Sequence, residues 1–366
     1  VLEGTPRRSD IASYWLGGVS ATFQPLKSLV LKYLQAYQEY EKTHSQQALK
    51  VTVNVDQGAP YRPIRDESER RPEDLMDKKE PLGDRVVPLG VRFLLASIDV
   101  QKDSFIVQVE GHGIGSEKWI VDRFKIKKSK RKDEEGDPLP LRPASFLEDW
   151  NEIITQVIDK RYPLCSDERE MSIRWVSCDS GGKAGVTEKA YKFWRHLKKL
   201  GKHTRFILVK GSSHHDAPRI RKSYPDSDRK DRKAGARGEI PIYLLNTTIL
   251  KDALDADLSI EEPGAGYIHF PEWLADWFFK ELCAEIRGVR SWTKVTARNE
   301  AIDLSVYNRA NLIVCKGESI NWQKPPSWAA EWDSNSLVSV LNDNSNTKTN
   351  NKPTKINWSN FGKNLG

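Results

Sequence analysis

Three aspartates in this chain have the setting that metal-assisted hydrolysis needs: Asp99 in "SIDVQ", Asp179 in "SCDSGG" and Asp303 in "NEAID". Hard divalent cations take several oxygen ligands, and cleavage of a phosphodiester benefits from two such ions about 4 Å apart. Asp99 and Asp179 each sit near the C-terminal end of an apolar, strand-like run, where α/β sheets tend to place their ligands. Asp303 sits one step from Ile302, at the edge of a helical stripe that continues through Val306, Ala310 and Ile313. Glu300 is one turn earlier on nearly the same face and is a candidate fourth carboxylate. Local alternatives exist. Asp-Ser-Gly-Gly is good turn chemistry, and Asn299 could cap a helix whose dipole Glu300 then complements. Asp303 is expected to lie beyond the reach of that first-turn effect.

The elements that must position these residues can be read from periodicity. "VRFLLASIDV", "SFIVQVEGHGIG" and "EKWIVDRFKI" are separated by short polar or glycine-containing turns and predict a three-stranded antiparallel meander. "SKRKDEEGDPLPLRPA" reads as a loop. "FLEDWNEIITQVIDK" then puts Leu147, Trp150, Ile154, Val157 and Ile158 on one helical stripe. The strand "SIRWVSCDS", a helix over residues 187–200 and the strand "TRFILVKG" follow. Three strands, helix, strand, helix, strand is the order of an RNase H-like α/β fold, a mixed sheet flanked by helices. In that sheet the first strand and the strand after the first helix are central, which makes Asp99 and Asp179 neighbours.

The nuclease-like core is expected over residues 89–330. Residues 1–88 predict a helical appendage, with Leu26, Leu29, Val30, Tyr33, Leu34 and Tyr37 in helical register, followed by a charged, proline-containing linker. Residues 331–366 are rich in Asn, Ser and Lys with few apolar anchors, and predict a flexible tail that is disordered beyond about Val340.

With 366 residues, 38% of them hydrophobic, the chain can fill a sizeable core, and no apolar run approaches the ~20 residues of a membrane span. The net charge of +7 favours a polyanionic partner, although 51 acidic residues are mixed with 58 basic ones and a solvated mixed surface explains much of it. Cys165, Cys178, Cys283 and Cys315 are far apart without C-x-x-C spacing, as in a reduced cytosolic protein. His214, His215 and Asp216 lack a second ligand cluster nearby. The first residues have no signal-peptide pattern, so the expected location is the cytoplasm.

"LLASIDVQKDSFIVQVEGHG", "VSCDSGG", "EEPGAGYIHFP" and above all "WTKVTARNEAID" together resemble the nuclease half of the lambda-type (GpA family) large terminase subunit of tailed bacteriophages. "LKVTVNVDQGAPY", residues 49–61, is similar to the segment that joins that family's ATPase to its nuclease. The resemblance covers about residues 10–315. It implies an endonuclease that cuts concatemeric double-stranded viral DNA during genome packaging in the host cell cytoplasm, with the small terminase subunit and the capsid portal as partners. It implies two Mg²⁺ or Mn²⁺ ions, with Asp99 as the bridging ligand, Asp179 as the second-strand ligand and Asp303 as the helix-borne one. No G-x-x-x-x-G-K-[ST] occurs, so no ATP site is expected in this chain, and residues 1–88 would be the last part of the ATPase region and its linker.

On that reading, Lys183, Lys189, Lys192, Arg195, Lys198 and Lys199 flank Asp179 with charge suited to phosphates, and Lys210 is a candidate contact to the scissile phosphate. The segment 218–239, with eight Lys or Arg against three Asp before its final Glu, is either a DNA clamp through Arg229, Lys230, Arg232 and Lys233 or a flexible insertion. Two other classes share these features: a non-catalytic DNA-binding module, and an RNase H-like resolvase or transposase nuclease.

Overall fold

The computed structural model describes residues 17–20, 24–43, 46–59, 61, 70–165, 168–181, 185–214, 217–224, 238–288 and 291–340. The expected meander is present as β1 (Phe93–Val100), β2 (Phe105–His112) and β3 (Lys118–Ile126), paired antiparallel in sequence order. β4 (Arg169–Asp179) runs parallel to β1, and β5 (Phe206–Gly211) runs parallel to β4. The order β3-β2-β1-β4-β5 is the RNase H-like arrangement, a mixed sheet with helices on both faces.

The sheet extends well past this five-strand core. On one edge β6 (Ile220–Ser223) pairs antiparallel with β7 (Ile242–Leu245), which lies parallel to β5. On the other, β8 (Ile268–Pro271) runs parallel to β3 and is itself flanked by the short strand Lys79–Glu80. Residues 220–223 of the basic segment are therefore an edge strand rather than loop.

Alternation along the central strands divides the core into two layers. Leu94, Ala96 and Ile98 of β1 and Val176 and Cys178 of β4 pack on one face against Trp150, Ile153 and Val157 and against Ala190, Phe193 and Leu197 of α1 (Val186–Lys199). Full burial of each such large side chain contributes about 1.5–3 kcal/mol. The opposite face is covered by α2 (Thr247–Leu258), α3 (Asp276–Leu282) and α4 (Glu300–Val314), with Ile302, Val306 and Ala310 of α4 in one apolar cluster with Ile207 and Val209 of β5. Gly185, at φ +92°, starts α1 so close to Ala144 that a Cβ would lie 2.7 Å from its carbonyl oxygen, so this turn admits only glycine without strain.

Two boundary expectations and one packing expectation change. Leu75 is buried against the second layer and Val87 against the first, so the body of the fold begins within the expected linker. At the other end, Val338–Val340 pairs with β4, and Trp332 Nε1 donates to the Val91 carbonyl at 2.7 Å, so residues 332–340 pack onto the body. The remainder of the expected tail, 341–366, lies outside the described residues. In the helix Leu26–Thr43, Leu29 is buried while Leu26, Val30 and Leu34 are exposed, so the expected stripe is only partly covered. All four cysteines are free thiols, and no helix among the described residues is long and apolar enough to cross a membrane.

Candidate metal centre

Ile98 of β1 and Cys178 of β4 are direct partners in the parallel ladder, and both point into the layer beneath α1. The next residue on each strand must point the other way. Asp99 and Asp179 therefore emerge side by side at the C-terminal ends of neighbouring strands, on the face covered by α4. Asp303 lies in the first turn of α4, not beyond it as expected. Tyr307 is one turn further along the same helix, and its hydroxyl is pushed well above the ordinary tyrosine range by burial and by the charges of Asp179, Asp303 and Asp99. The three carboxylates thus share one neighbourhood.

Their electrostatics are those of a site short of positive charge. Burial pushes the Asp99 carboxyl up to about 6; the Gln101 side-chain amide, which donates to it, opposes this, while Asp179, Asp303 and Glu300 add repulsion. Asp179 is raised by burial and by Asp303, against the Gly181 N–H, which donates to it at 2.9 Å, and the nearby Lys210. Asp303 is raised by burial and by Glu285, against Lys251 at 3.3 Å. A set of hard oxygen donors whose charges oppose one another fits divalent cations.

The geometry is open. Among the described residues, the acidic trio with ligand oxygens all within 4.8 Å is Asp133, Glu135 and Asp137, in an exposed hairpin loop where Asp133 Oδ1 accepts the N–H groups of Glu135 and Asp137. That is turn chemistry. The Asp99 group is more widely spaced, as repelling carboxylates should be.

Residues 11–322 match the terminase large subunit gpA endonuclease domain family. The chain belongs to that family. It is 28% identical over 262 residues to the terminase large subunit of Escherichia phage lambda, an alignment covering 67% of this chain and 36% of that protein. The chain therefore spans about a third of that relative's length. The large terminase of bacteriophage HK97 aligns over 79% of this chain and 51% of its own at 11% identity and a TM-score of 0.34, too low to bear on the site.

Several residues around these carboxylates have no sequence signal. Lys251 of α2 donates to both Glu285 oxygens at 2.7 and 2.8 Å, and Asn299 Nδ2 donates to Glu285 at 2.6 Å and to Asp303 at 3.0 Å. Asn299 thus holds two carboxylates rather than capping α4 with its side chain. The first turn of α4 is instead served by Glu281 of α3, which accepts the Ala301 N–H at 3.2 Å and pairs with Arg123 and Arg298, each at 3.1 Å. Glu300 joins that cluster through Arg298 at 3.5 Å while its charge still reaches Asp99. Tyr307 was open to discovery, being four residues after Asp303 on a helix. Lys251 and Glu285 were not, because only tertiary packing brings them to Asp303.

The expected basic residues divide differently. Lys192, Arg195, Lys198 and Lys199 are exposed on α1, with the sheet between them and the carboxylates, and Lys192 pairs with Glu188 while Arg195 and Lys198 share Glu239. They do not flank Asp179. Lys210 follows Val209, the ladder partner of Asp179, so its side chain leaves from the α1 face, yet its charge reaches Asp179 around the strand ends. Lys183, His215, Asp216, Arg229, Lys230, Arg232 and Lys233 lie outside the described residues.

Proposed function

We propose that this chain is a metal-dependent endonuclease that cuts concatemeric double-stranded viral DNA for packaging. The observation that carries the reading is the emergence of Asp99 and Asp179 from adjacent parallel strands toward Asp303 on α4, in a chain of the terminase endonuclease family. Asp99, Asp179 and Asp303 would hold the ions, with Glu300 assisting from the α4 terminus. Bound Mg²⁺ or Mn²⁺ supplies Lewis-acid stabilisation of charge on the phosphate and makes water a competent nucleophile near neutral pH.

The chain's own groups do the positioning. Gln101 orients Asp99, the Gly181 N–H orients Asp179, and Asn299 with Lys251 fixes Asp303. Lys210 stands closest to the centre among the cations proposed to meet phosphates. Lys183 and, in the basic segment, Arg229, Lys230, Arg232 and Lys233 are outer contacts in this reading. Residues 1–88 are read as the end of a packaging ATPase region and its linker, and the small terminase subunit and the portal as partners in the host cytoplasm.

Supercoiled plasmid incubated with the purified chain tests the reading. Nicking should appear with Mg²⁺ or Mn²⁺ and vanish in EDTA. DNA binding without any metal-dependent nicking would favour a non-catalytic binding module.

A further inference from the structure

On the α1 side of the same strand ends, Leu244 of β7 lies opposite Lys210 on β5 and opposite Arg221 on β6. Residues in one such row point to one face, so Lys210 and Arg221 stand on either side of Leu244 with their Cα atoms about 10 Å apart, two strand spacings. Past Lys210 the chain turns through Ser212, Ser213 and His214, with Ser212 N held by the Leu245 carbonyl at 2.7 Å and the His214 N–H donating to Ser212 Oγ at 3.2 Å. This turn, the cation row and Tyr191 of α1 enclose a cleft of 330 Å³, about the size of a single nucleotide-scale ligand site.

The charge of the cleft is one-sided. Among the described residues, its lining contributes two cations, the hydroxyls of Ser212, Ser213 and Ser223, an imidazole and a phenol, and no carboxylate. Nearby surface cations are neutralised, Arg219 by Glu318, Lys192 by Glu188 and Arg195 by Glu239, whereas neither Lys210 nor Arg221 forms an ion pair with a described residue. An exposed cleft lined by charges of one sign concentrates ions of the other.

The cleft also lies close to the carboxylate centre. A Cβ placed on Gly181 would lie 3.3 Å from Asp179 Oδ1 and 3.6 Å from Lys210 Cγ, so one bare glycine separates the acidic site from the basic one.

We propose that this cleft binds a non-scissile phosphate of the DNA strand being cut, the strand passing from the carboxylates over Gly181 to Lys210 and then Arg221. The inference rests on the nuclease reading and adds to it a strand path and a residue, Arg221, that the sequence did not single out. Long cationic side chains about 10 Å apart can close on one phosphate or bracket two successive ones, and the surrounding hydroxyls suit its oxygens.

The test is the salt dependence of duplex binding by the full chain in EDTA, which prevents cutting. Arg221 is exposed on an edge strand, so Arg221→Ala should fold normally, checked by circular dichroism. It should weaken binding and lower the slope of log K against log salt by about 0.9, with Arg221→Lys retaining the slope and Arg221→Glu weakening binding further. Lys128→Ala, an exposed cation on a separate hairpin, should leave the slope unchanged. If wild type binds duplex and Arg221→Ala matches Lys128→Ala, the cleft is not on the strand path and the proposal is overturned while the nuclease reading stands. If wild type itself shows no duplex binding, both fall. Inorganic phosphate and a nucleoside monophosphate form a second arm: stabilisation of wild type but not Arg221→Ala by either, with duplex binding indifferent to Arg221, would assign the cleft to a free phosphate compound and overturn the strand assignment.

Discussion

Asn311 donates a hydrogen bond of 2.7 Å to the backbone carbonyl of Ala96, three residues before Asp99. The same amide reaches Ser177 Oγ at 2.9 Å, two residues before Asp179, and Ser177 in turn donates to the Tyr307 carbonyl at 3.1 Å. One buried side chain thus ties the helix carrying Asp303 to both strands carrying the other aspartates.

Replacing Asn311 by Leu should let α4 shift relative to the strand ends. Removing this buried amide takes away the donor to the Ala96 carbonyl, Ser177 Oγ and Asn308 Oδ1, at a cost of about 1–3 kcal/mol. A purely structural role would stop there. A positioning role also raises the Mn²⁺ concentration needed for half-maximal cleavage, which a metal titration of the variant, compared at equal folded fraction, reads directly. An unchanged metal requirement would limit Asn311 to stability.

The Asp99 carboxyl, held at about 6, predicts a pH-dependent penalty in the metal-free protein. Because the folded chain binds this proton more tightly than the unfolded chain, the stabilising contribution is complete below about pH 3.8 and is lost as pH rises through about 6. Asp99→Asn should therefore be more stable than wild type at pH 7, by on the order of 1–3 kcal/mol. The advantage should shrink toward pH 4 and also shrink when Mg²⁺ is added at pH 7. Urea unfolding of both proteins at the two pH values, in EDTA and in Mg²⁺, checks this; a pH-independent difference would contradict it.

Lys251 and Glu285 form a largely buried pair, 12% and 5% exposed at the side chains. Lys251→Met leaves Glu285 without its ion-pair partner and should cost about 3–5 kcal/mol. Adding Glu285→Gln should recover most of the loss. A double-mutant cycle by chemical denaturation measures the coupling, and additivity of the two substitutions would show that the pair is not acting as a unit.

The meander, the aspartate-bearing fourth strand, α1 and α4 were legible in sequence because each pattern is local: alternation in "FLLASIDV", helical spacing from Ile302 to Ala310. The pairing of Asp99 with Asp179 followed from topology alone. β6 was missed because "IRKS" lies at the sheet edge with two charged residues facing solvent, leaving no alternation to read. α4 hides part of its function in the same way: Ser305, Asn308 and Asn311 look like solvent-facing positions, yet they are buried polar contacts to the sheet, Ser305 accepting from Gln108 at 2.9 Å. The lysines of α1 misled because proximity to Asp179 in sequence became separation by the sheet in space.

The central claim is that Asp99, Asp179 and Asp303 act as one metal centre, and cleavage of supercoiled plasmid by the three single Asp→Asn variants, each prepared in parallel with wild type and shown to be folded, tests it most directly. Each should lose Mg²⁺- and Mn²⁺-dependent cleavage while retaining DNA binding, and Glu300→Gln should slow the reaction only modestly. Normal cleavage by Asp303→Asn with an inactive Glu300→Gln would move the third ligand by one helical turn, and normal cleavage by all three variants would contradict the account.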